Sequence, residues 1–466
     1  MELWGLMEIL KFRLTNVGRF SNIELLLAPV NNKKSKVTVL VGNNGAGKTF
    51  LLKSLAISLS WFVARVRSEK GNGSPIAEDD IKNDANTAII DIEVLEWRGP
   101  SGNPDANIED NIYDWNIAKT RAGRKNEQSS HLNGATRLAE YFRSQLSINE
   151  KAPLPLIVFY PVERVVLDIP LKIRDKHSFQ QLDGYDNALN QGVDFRRFFE
   201  WFREREDSEN ESAIAQKVFN DLSHSFRNAP TMLNALKEIK KLQESRLDHQ
   251  LSAVRNAISI FMPGFSNLRV SRKPRLVMTI DKHGESLNVG QLSQGEKSLM
   301  ALVGDIARRL AMMNPALENP LHGEGIVLID EVDLHLHPKW QRTLIARLTT
   351  TFPNCQFILT THSPLVISDS KDVLCYLLDD GEISVVDDLY GLDANSVLLQ
   401  VMDTDIRNAD VDMRLRALLN TIQDGELDKA KGLLAELSKD LPENNIELIK
   451  ARLLLRKQEL RHAQDH

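Results

Sequence analysis

The spacing of apolar positions changes period several times along the chain, and each change predicts an element. Residues 8–28 alternate as strands do, then pass through polar Asn31-Asn32-Lys33-Lys34 into Val37-Thr38-Val39-Leu40-Val41. That short β-branched run reads as a buried strand. Leu51, Leu52, Leu55 and Ile57 continue beyond it as a helix. Gly, Asn, Ser, Pro and Asp cluster at residues 71–86, which predicts a loop. Residues 88–95 and 112–117 predict an antiparallel pair joined by the Gly/Pro/Asn-rich stretch 99–110, and 156–160 predicts another buried strand. Further strand patterns fall at 276–280, 326–329, 357–360 and 373–378.

Helical spacing occupies two other regions. Phe195, Phe198, Phe199 and Phe202 fall at i, i+3, i+4 and i+7, and Leu247, Leu251, Val254, Ile258 and Phe261 keep a similar stripe. Acidic residues 206–211 and polar helices around 237–244 lie between them. Residues 191–265 therefore read as a helical insertion, a short arm far too brief for a long coiled coil. Beyond residue 410 the pattern is purely helical. Leu415, Leu418, Leu419 and Ile422 form one face, Asp424-Gly425 breaks it, and Leu427, Ala430, Leu433, Leu434 and Leu437 form the next. Leu448, Ala451 and Leu455 make a third stripe. Such a tail (406–466) is either a helical repeat that binds a partner or a packed helical cap. The remaining segments, 1–190 and 266–405, read as two parts of one α/β domain.

At 466 residues and 26% charged, the composition is that of a soluble globular chain of two or three domains. A net charge of −6 excludes a bulk polycation that coats nucleic acid, though not a local basic groove. Cys355 and Cys375 sit in strand-like apolar runs and read as buried thiols. The N-terminus has no charged-then-apolar secretory pattern, and no run approaches the roughly 18 apolar residues needed to span a bilayer. A cytoplasmic protein without membrane partners is expected.

The chemistry lies in four short motifs. Gly42-Asn43-Asn44-Gly45-Ala46-Gly47-Lys48-Thr49 fits the phosphate-loop pattern G-x-x-x-x-G-K-[ST], after a strand and opening a helix. Glycines let backbone N–H groups turn onto phosphate oxygens, and the helix N-terminus adds partial positive charge. Asn43 through Phe50 would line the nucleotide, with Lys48 reaching the β- and γ-phosphates and Thr49 holding Mg²⁺. Gly325 through Glu331 is an apolar strand ending in two carboxylates. Asp330 would hold Mg²⁺, and Glu331 would polarise the water attacking the γ-phosphate. Thr361-His362-Ser363-Pro364 closes the 357–360 strand, placing His362 to sense that phosphate. Leu292-Ser293-Gln294-Gly295-Glu296 precedes a helix, and Ser293 and the backbone near Gly295 can donate to the γ-phosphate of a nucleotide held by another protomer. Within one protomer these two nucleotide loops would lie too far apart to share a ligand, so ATP between two copies is expected. His335 and His337 read as structural or dimer-contact residues rather than a metal pair.

The ordered set GNNGAGKT, LSQGE, VLIDEVD and TTHSP resembles the ABC-type, AAA-family ATPase head of SMC- and RecF-like proteins. The wording IDEVDLHLHPKWQ, with Tyr390-Gly391-Leu392-Asp393-Ala394-Asn395-Ser396 and the helical end, is similar to overcoming-lysogenisation-defect-like defence ATPases. Within these it is similar to the ATPases of Septu-type anti-phage systems and retrons. The resemblance implies an α/β fold with a mixed sheet, an antiparallel β-lobe and an all-helical C-terminal tail. It implies Ser293, Gly295 and Glu296 as a signature acting in trans, Asp333 in the loop crossing between paired sites, and His362 as the switch. It also implies a separately encoded HNH nuclease gated by the ATPase, acting on nucleic acid. Heads of this type usually carry a glutamine after the strand leaving the first lobe. Here that stretch is Phe159-Tyr160-Pro161-Val162-Glu163-Arg164, so slow, regulatory hydrolysis is expected.

Competing functions separate on spacing. A transporter ATPase has its two nucleotide loops much closer together, without an elaborate insertion. A self-contained nuclease needs a metal-binding domain of its own, and the 104 residues after His362 also hold the last strands and the tail. A RecF-like repair head shares all the ATPase chemistry and is the alternative to the defence reading.

Overall fold

In a computed structural model of the chain, the described residues are 6–30, 35–97, 111–124, 128–162, 179–190, 195–225, 248–274, 276–387, 389–401, 408–442 and 445–464. The polar 31–34 stretch, the 99–110 connection, the helices expected around 237–244, Leu247, Glu163 and Arg164 lie outside them. The chain divides into two compact units, Met1–Leu392 and Asp393–His466.

In chain order, the first unit holds β1 (Leu6–Val17), β2 (Phe20–Leu26), β3 (Val37–Gly42), helix α1 (Lys48–Arg67), β4 (Thr87–Trp97), β5 (Ile112–Thr120), α2 (Asn133–Ile148) and β6 (Leu156–Tyr160). There follow α3 (Phe195–Ser225), α4 (His249–Phe261), β7 (Phe265–Ser271), β8 (Val277–Lys282), β9 (Glu285–Asn288) and α5 (Gln294–Met313). β10 (Gly325–Ile329), α6 (Leu344–Thr351), β11 (Cys355–Thr360), β12 (Leu374–Asp379) and β13 (Glu382–Val386) come last, with short helices at Pro338–Gln341 and Pro364–Ser368. The α/β architecture expected from the motifs is the one observed.

Three sheets form. An antiparallel lobe runs β2-β1-β4-β5, a small antiparallel sheet runs β7-β8-β9, and the central sheet runs β13-β12-β3-β11-β10-β6. In the central sheet all pairings are parallel except the antiparallel β13 edge. Every residue of β3, β6, β10 and β11 is buried, as strands covered on both faces require; β6 and β10 read as unbroken apolar runs, while β3 and β11 also bury Thr38, Gln356 and Thr360. β4 alternates strictly between buried and half-buried positions, the mark of a sheet with one covered face. Gln356 on β11 anchors this lobe to the central sheet: its amide donates to the Ile9 and Ala28 carbonyls at 2.9 and 2.7 Å and accepts from the Ile9 N–H at 2.8 Å.

Because β3, β11 and β10 are neighbours, the phosphate loop, the Thr361-His362 turn and the Asp330-Glu331 turn emerge side by side. They leave the carboxyl ends of parallel strands, where open α/β sheets bind ligands.

The aromatic stripe read as the start of an arm belongs to the core. Phe195, Phe198, Phe199, Trp201 and Phe202 are all buried, and a Cβ at Gly304 of α5 would lie 2.8 Å from the Phe198 ring. The acidic residues beyond are tied down too. Arg255 of α4 donates to Glu206 at 3.1 Å and Glu209 at 2.8 Å, and the Val270 N–H donates to Glu206 at 2.9 Å. α2, β7, β9 and β13 were not foreseen from the pattern. α2 is amphipathic, with Ala135, Leu138, Ala139 and Phe142 buried, and Phe142 meets Phe62 of α1 edge-on at 5.9 Å. Contrary to the expectation from apolar runs, α1 is long and apolar enough to cross a membrane by length and composition, but Leu51, Leu52, Leu55, Leu59 and Phe62 are buried in the unit. Lys53 and the serines break the continuous apolar run, while the leucines, phenylalanines and valines keep the average high. Both cysteines are buried, and burial pushes the Cys355 thiol up to about 12.

The second unit contains a short helix (Ala394–Gln400), then α7 (Ala409–Gln423), α8 (Leu427–Asp440) and α9 (Ile446–Gln464). Leu415, Leu418, Ile422, Ala430, Leu437, Leu448, Ala451 and Leu455 form its core. Asp424-Gly425 ends α7 because Gly425 takes φ +79°, the left-handed turn that stops helices.

Removing the Phe198 ring leaves a cavity between α3 and α5 that close-packed neighbours fill only in part. Phe198→Ala is therefore expected to destabilise the first unit by about 3–5 kcal/mol, read from denaturant unfolding. An unchanged midpoint would place the stripe outside the core.

Candidate nucleotide site

β3 delivers the chain into a loop that only glycines permit. Gly47 has φ +101°, and a Cβ there would lie 2.7 Å from the Phe20 ring, whose turn packs against the loop. α1 starts at the next residue with no acidic side chain in its first turn, so its free N–H groups keep their partial positive charge for an anion. The Lys48 ammonium is folded onto its own loop, donating to Gly42 O at 2.6 Å and Asn43 O at 3.0 Å. Burial lowers its pKa, and the carboxylates of Asp330, Glu331 and Asp333 act against that.

A cleft of about 210 Å³ opens here, lined by Asn44, Gly45, Gly47, Lys48, Thr49, Phe50, Glu331 and His362. Three separate motifs of the sequence thus meet on one cavity. Asn43 contributes its carbonyl to Lys48, and Ala46 is buried, its methyl facing Gly42. Asp330, fully buried, lies beneath the Glu331 wall.

Thr360, which sequence reasoning passed over, organises the carboxylates. Its hydroxyl donates to Asp330 Oδ1 at 2.6 Å and accepts the Glu331 N–H at 2.7 Å. Asp330 N–H in turn donates to Tyr160 O at 2.9 Å. Glu331 takes φ +44°, a left-handed conformation costly for a residue with a side chain and found where a site over-determines the backbone. Asp333 accepts from the Thr361 hydroxyl and from the His362 N–H, the latter at 3.4 Å. Burial lowers the His362 pKa, and the Lys48 charge lowers it further against the pull of Glu331, Asp333 and Asp330.

Ser293, Gly295 and Glu296 do not line this cleft. Ser293 caps α5, its hydroxyl accepting the Glu296 N–H at 3.4 Å while Glu296 accepts the Ser293 N–H at 3.0 Å. Glu296 also pairs with Lys282 at 2.8 Å. Burial pushes Glu296 up, but Lys282 and Ser293 outweigh it and hold the carboxyl low. At Gly295 a Cβ would collide with the His335 carbonyl, so the signature turn and the loop after Asp333 are packed together in one chain. His335 has φ +63°, and His337 accepts the Lys339 N–H through Nδ1 at 3.2 Å, capping the short helix Pro338–Gln341. Among the described residues no group of three or more His, Cys, Asp or Glu is placed to hold a metal ion. Thr49 and Asp330 offer the hard oxygen donors that suit Mg²⁺ beside a phosphate.

One more constellation was missed. Asp305 of α5, fully buried, accepts from Arg308 at 2.6 Å, from Arg309 at 2.7 Å and from the Tyr160 hydroxyl at 2.9 Å. Arg309 also donates to Gly184 O at 2.6 Å and Asp186 O at 3.0 Å. The helix opened by Ser293 is thereby tied to the end of β6, whose backbone holds Asp330. Arg19, in the turn before Phe20, donates to the Gly45 carbonyl and is likewise new to the site.

The His362 titration tests this electrostatic arrangement. By NMR its midpoint is expected below the ordinary 6.5, so the ring is neutral at pH 7, and Lys48→Met should move it upward by removing a neighbouring positive charge. An unmoved midpoint would separate the two side chains.

Comparison with known proteins gives the family. The profile described as "AAA domain, putative AbiEii toxin, Type IV TA system" matches residues 37–368. The retron Ec83 probable ATPase of Escherichia coli is 34% identical over 79% of this chain and 71% of its own length. The retron Vc95 probable ATPase of Vibrio cholerae serotype O1 biovar El Tor is 33% identical over 77% of this chain and 72% of its own. The Septu protein PtuA of Bacillus mycoides (strain KBAB4) is 42% identical over a shorter stretch, 20% of this chain and 12% of that protein. The solved Smc head domain of Pyrococcus furiosus aligns with 82% of this chain and 96% of its own at 16% identity and a TM-score of 0.42. The chain belongs to this AAA-domain family and is a homologue of the retron ATPases.

Proposed function

We propose that this protein is a regulatory ATPase of anti-phage defence, in which two copies close over Mg²⁺–ATP and control a separately encoded HNH nuclease acting on nucleic acid. One observation carries the nucleotide half of the reading. Lys48, Thr49, Glu331 and His362 share a cleft, while Ser293 and Gly295 sit on a different patch, buttressed by the loop that follows Asp333. A phosphate-binding half-site and a signature patch on one chain are complementary surfaces, as two copies related by a twofold axis require. The defence half rests on likeness to the retron ATPases and, over its shorter stretch, to the Septu protein PtuA.

The residues divide the work as phosphoryl transfer demands, by positioning and charge. Lys48 exchanges its bonds to Gly42 O and Asn43 O for the β- and γ-phosphates. The Thr49 hydroxyl and Asp330 are the groups that would hold Mg²⁺, which neutralises phosphate charge when bound. Glu331, aimed into the cleft by its left-handed backbone, orients and deprotonates the attacking water. Neutral His362 hydrogen-bonds the γ-phosphate and so distinguishes ATP from ADP. Ser293 and the backbone near Gly295 reach the same phosphate from the second copy, with Asp333 at the crossing. β6 runs out through Tyr160, Pro161 and Val162 without a glutamine, which fits slow turnover.

Glu331→Gln is expected to cut turnover by about 10²–10⁴-fold while retaining ATP. Light scattering with ATP should then show it accumulating as a species larger than one protomer. Wild-type turnover in this variant, or a single-protomer mass with ATP bound, would refute the reading. Lys48→Met should lose ATP binding at its own phosphate loop.

A further inference from the structure

We infer that the outward face of α9 is a docking surface for an acidic amphipathic helix of a partner protein. This gives chemistry to the partner half of the function proposed above and rests on that reading. Leu448, Ala451 and Leu455 face the core of the second unit. On the opposite side of the same helix, Ile446, Ile449, Leu453 and Leu460 are exposed by 68, 42, 64 and 60%. These four fall at i, i+3, i+7 and i+14, a narrow seam of the kind that pairs with another helix. Seams of this kind choose partners through the charges that flank them, and here the flanks are basic. Lys450, Arg452 and Lys457 occupy the flanking positions, and Arg456 interrupts the seam itself. Arg456 and Lys457 meet no carboxylate among the described residues, Lys450 has only Glu447 of its own helix at 3.2 Å, and Arg452 donates to the Ser438 hydroxyl at 3.3 Å.

That charge pattern decides the occupant. A second α9, laid parallel, would set Arg452 against Lys457; laid antiparallel, it would set Lys450 against Lys457. The parallel arrangement is repulsive, and in the antiparallel one the only pair to offset the lysines is Arg452 with Glu459. The one acidic flanking residue, Glu459, is already taken by Lys431 at 2.8 Å. A lipid surface is disfavoured as well, because membrane-seated helices bury a broad face with aromatic residues, and α9 has no Trp, Tyr or Phe. A helix carrying Leu or Ile along its seam and Asp or Glu on its flanks satisfies both the apolar stripe and the cations.

The test uses the full chain and two fluorescein-labelled synthetic helices with leucine seams, one flanked by glutamate and one by lysine, read by anisotropy. The glutamate peptide is expected to bind, more weakly as salt is raised, and the lysine peptide to be ignored. Leu453→Ser should weaken binding by about tenfold or more, the cost of losing one buried leucine. The double variant Lys450→Glu/Lys457→Glu should reverse the peptide preference, which a tail that had merely unfolded would not do. Equal affinity for both peptides, or no binding to either, overturns the inference. So does Leu453-dependent sedimentation with phosphatidylserine vesicles, or Leu453-dependent self-association. A chain that ignores the peptides but still binds ATP and assembles loses only this surface; failure of ATP binding would instead remove the proposed function.

Discussion

Where β3, β11 and β10 end side by side, three backbones must turn within a buried layer, and each N–H and C=O left by the sheet needs a partner. The Thr360 hydroxyl meets this constraint for the Glu331 N–H, from which it accepts, and at the same time donates to the buried Asp330 carboxylate. Asp330 is fixed from the other side by Tyr160. The turn that results forces Glu331 into positive φ and brings its carboxylate to the wall of the phosphate-loop cleft. A hydroxyl with one donor and its lone pairs is the smallest group able to serve both neighbours; valine has the same shape and neither capacity. The geometry of the carboxylate wall therefore depends on a residue that would not itself touch a nucleotide.

The second constraint concerns α5. Asp305 could not remain charged and fully buried without the two guanidinium groups and the tyrosine hydroxyl that surround it. Removing one partner from such a cluster typically costs about 3–5 kcal/mol. The cluster joins α5 to the end of β6, and the Gly295 turn joins the start of α5 to the loop after Asp333. The signature patch is therefore bound to the carboxylate strand by two routes, one ionic and one a close backbone approach that only glycine allows. In the proposed assembly, a nucleotide touching Ser293 from the second copy would be felt at Asp330 of the first through these packed contacts.

Much of this was legible in the residues. The central strands announce themselves because strands buried on both faces are predominantly apolar, and the sheet order then brings their motifs together. The tail stripes were legible because Leu415, Leu418 and Ile422 repeat with the helical period and Gly425 ends it. What escaped has a common cause: period shows that a face is buried but not against what. The Phe195–Phe202 stripe fits an arm or a core equally well, and only Gly304 beneath Phe198 decides. Asp305, Arg308 and Arg309 have the spacing of an ordinary surface ion pair. Thr360 looks like any β-branched strand residue until the Asp330 carboxylate is placed beside it.

The central claim is that each nucleotide site is shared between two copies, and complementation measures this directly. Lys48→Met disables the phosphate loop, and Ser293→Arg disables the signature, so each variant alone should be inactive. Mixed and re-equilibrated in equal amounts, half of the dimers carry one of each and keep one intact composite site of two. About one quarter of wild-type ATP turnover should then return. Turnover that stays at the level of the inactive variants, or a Ser293→Arg chain that hydrolyses ATP unaided, would contradict the account.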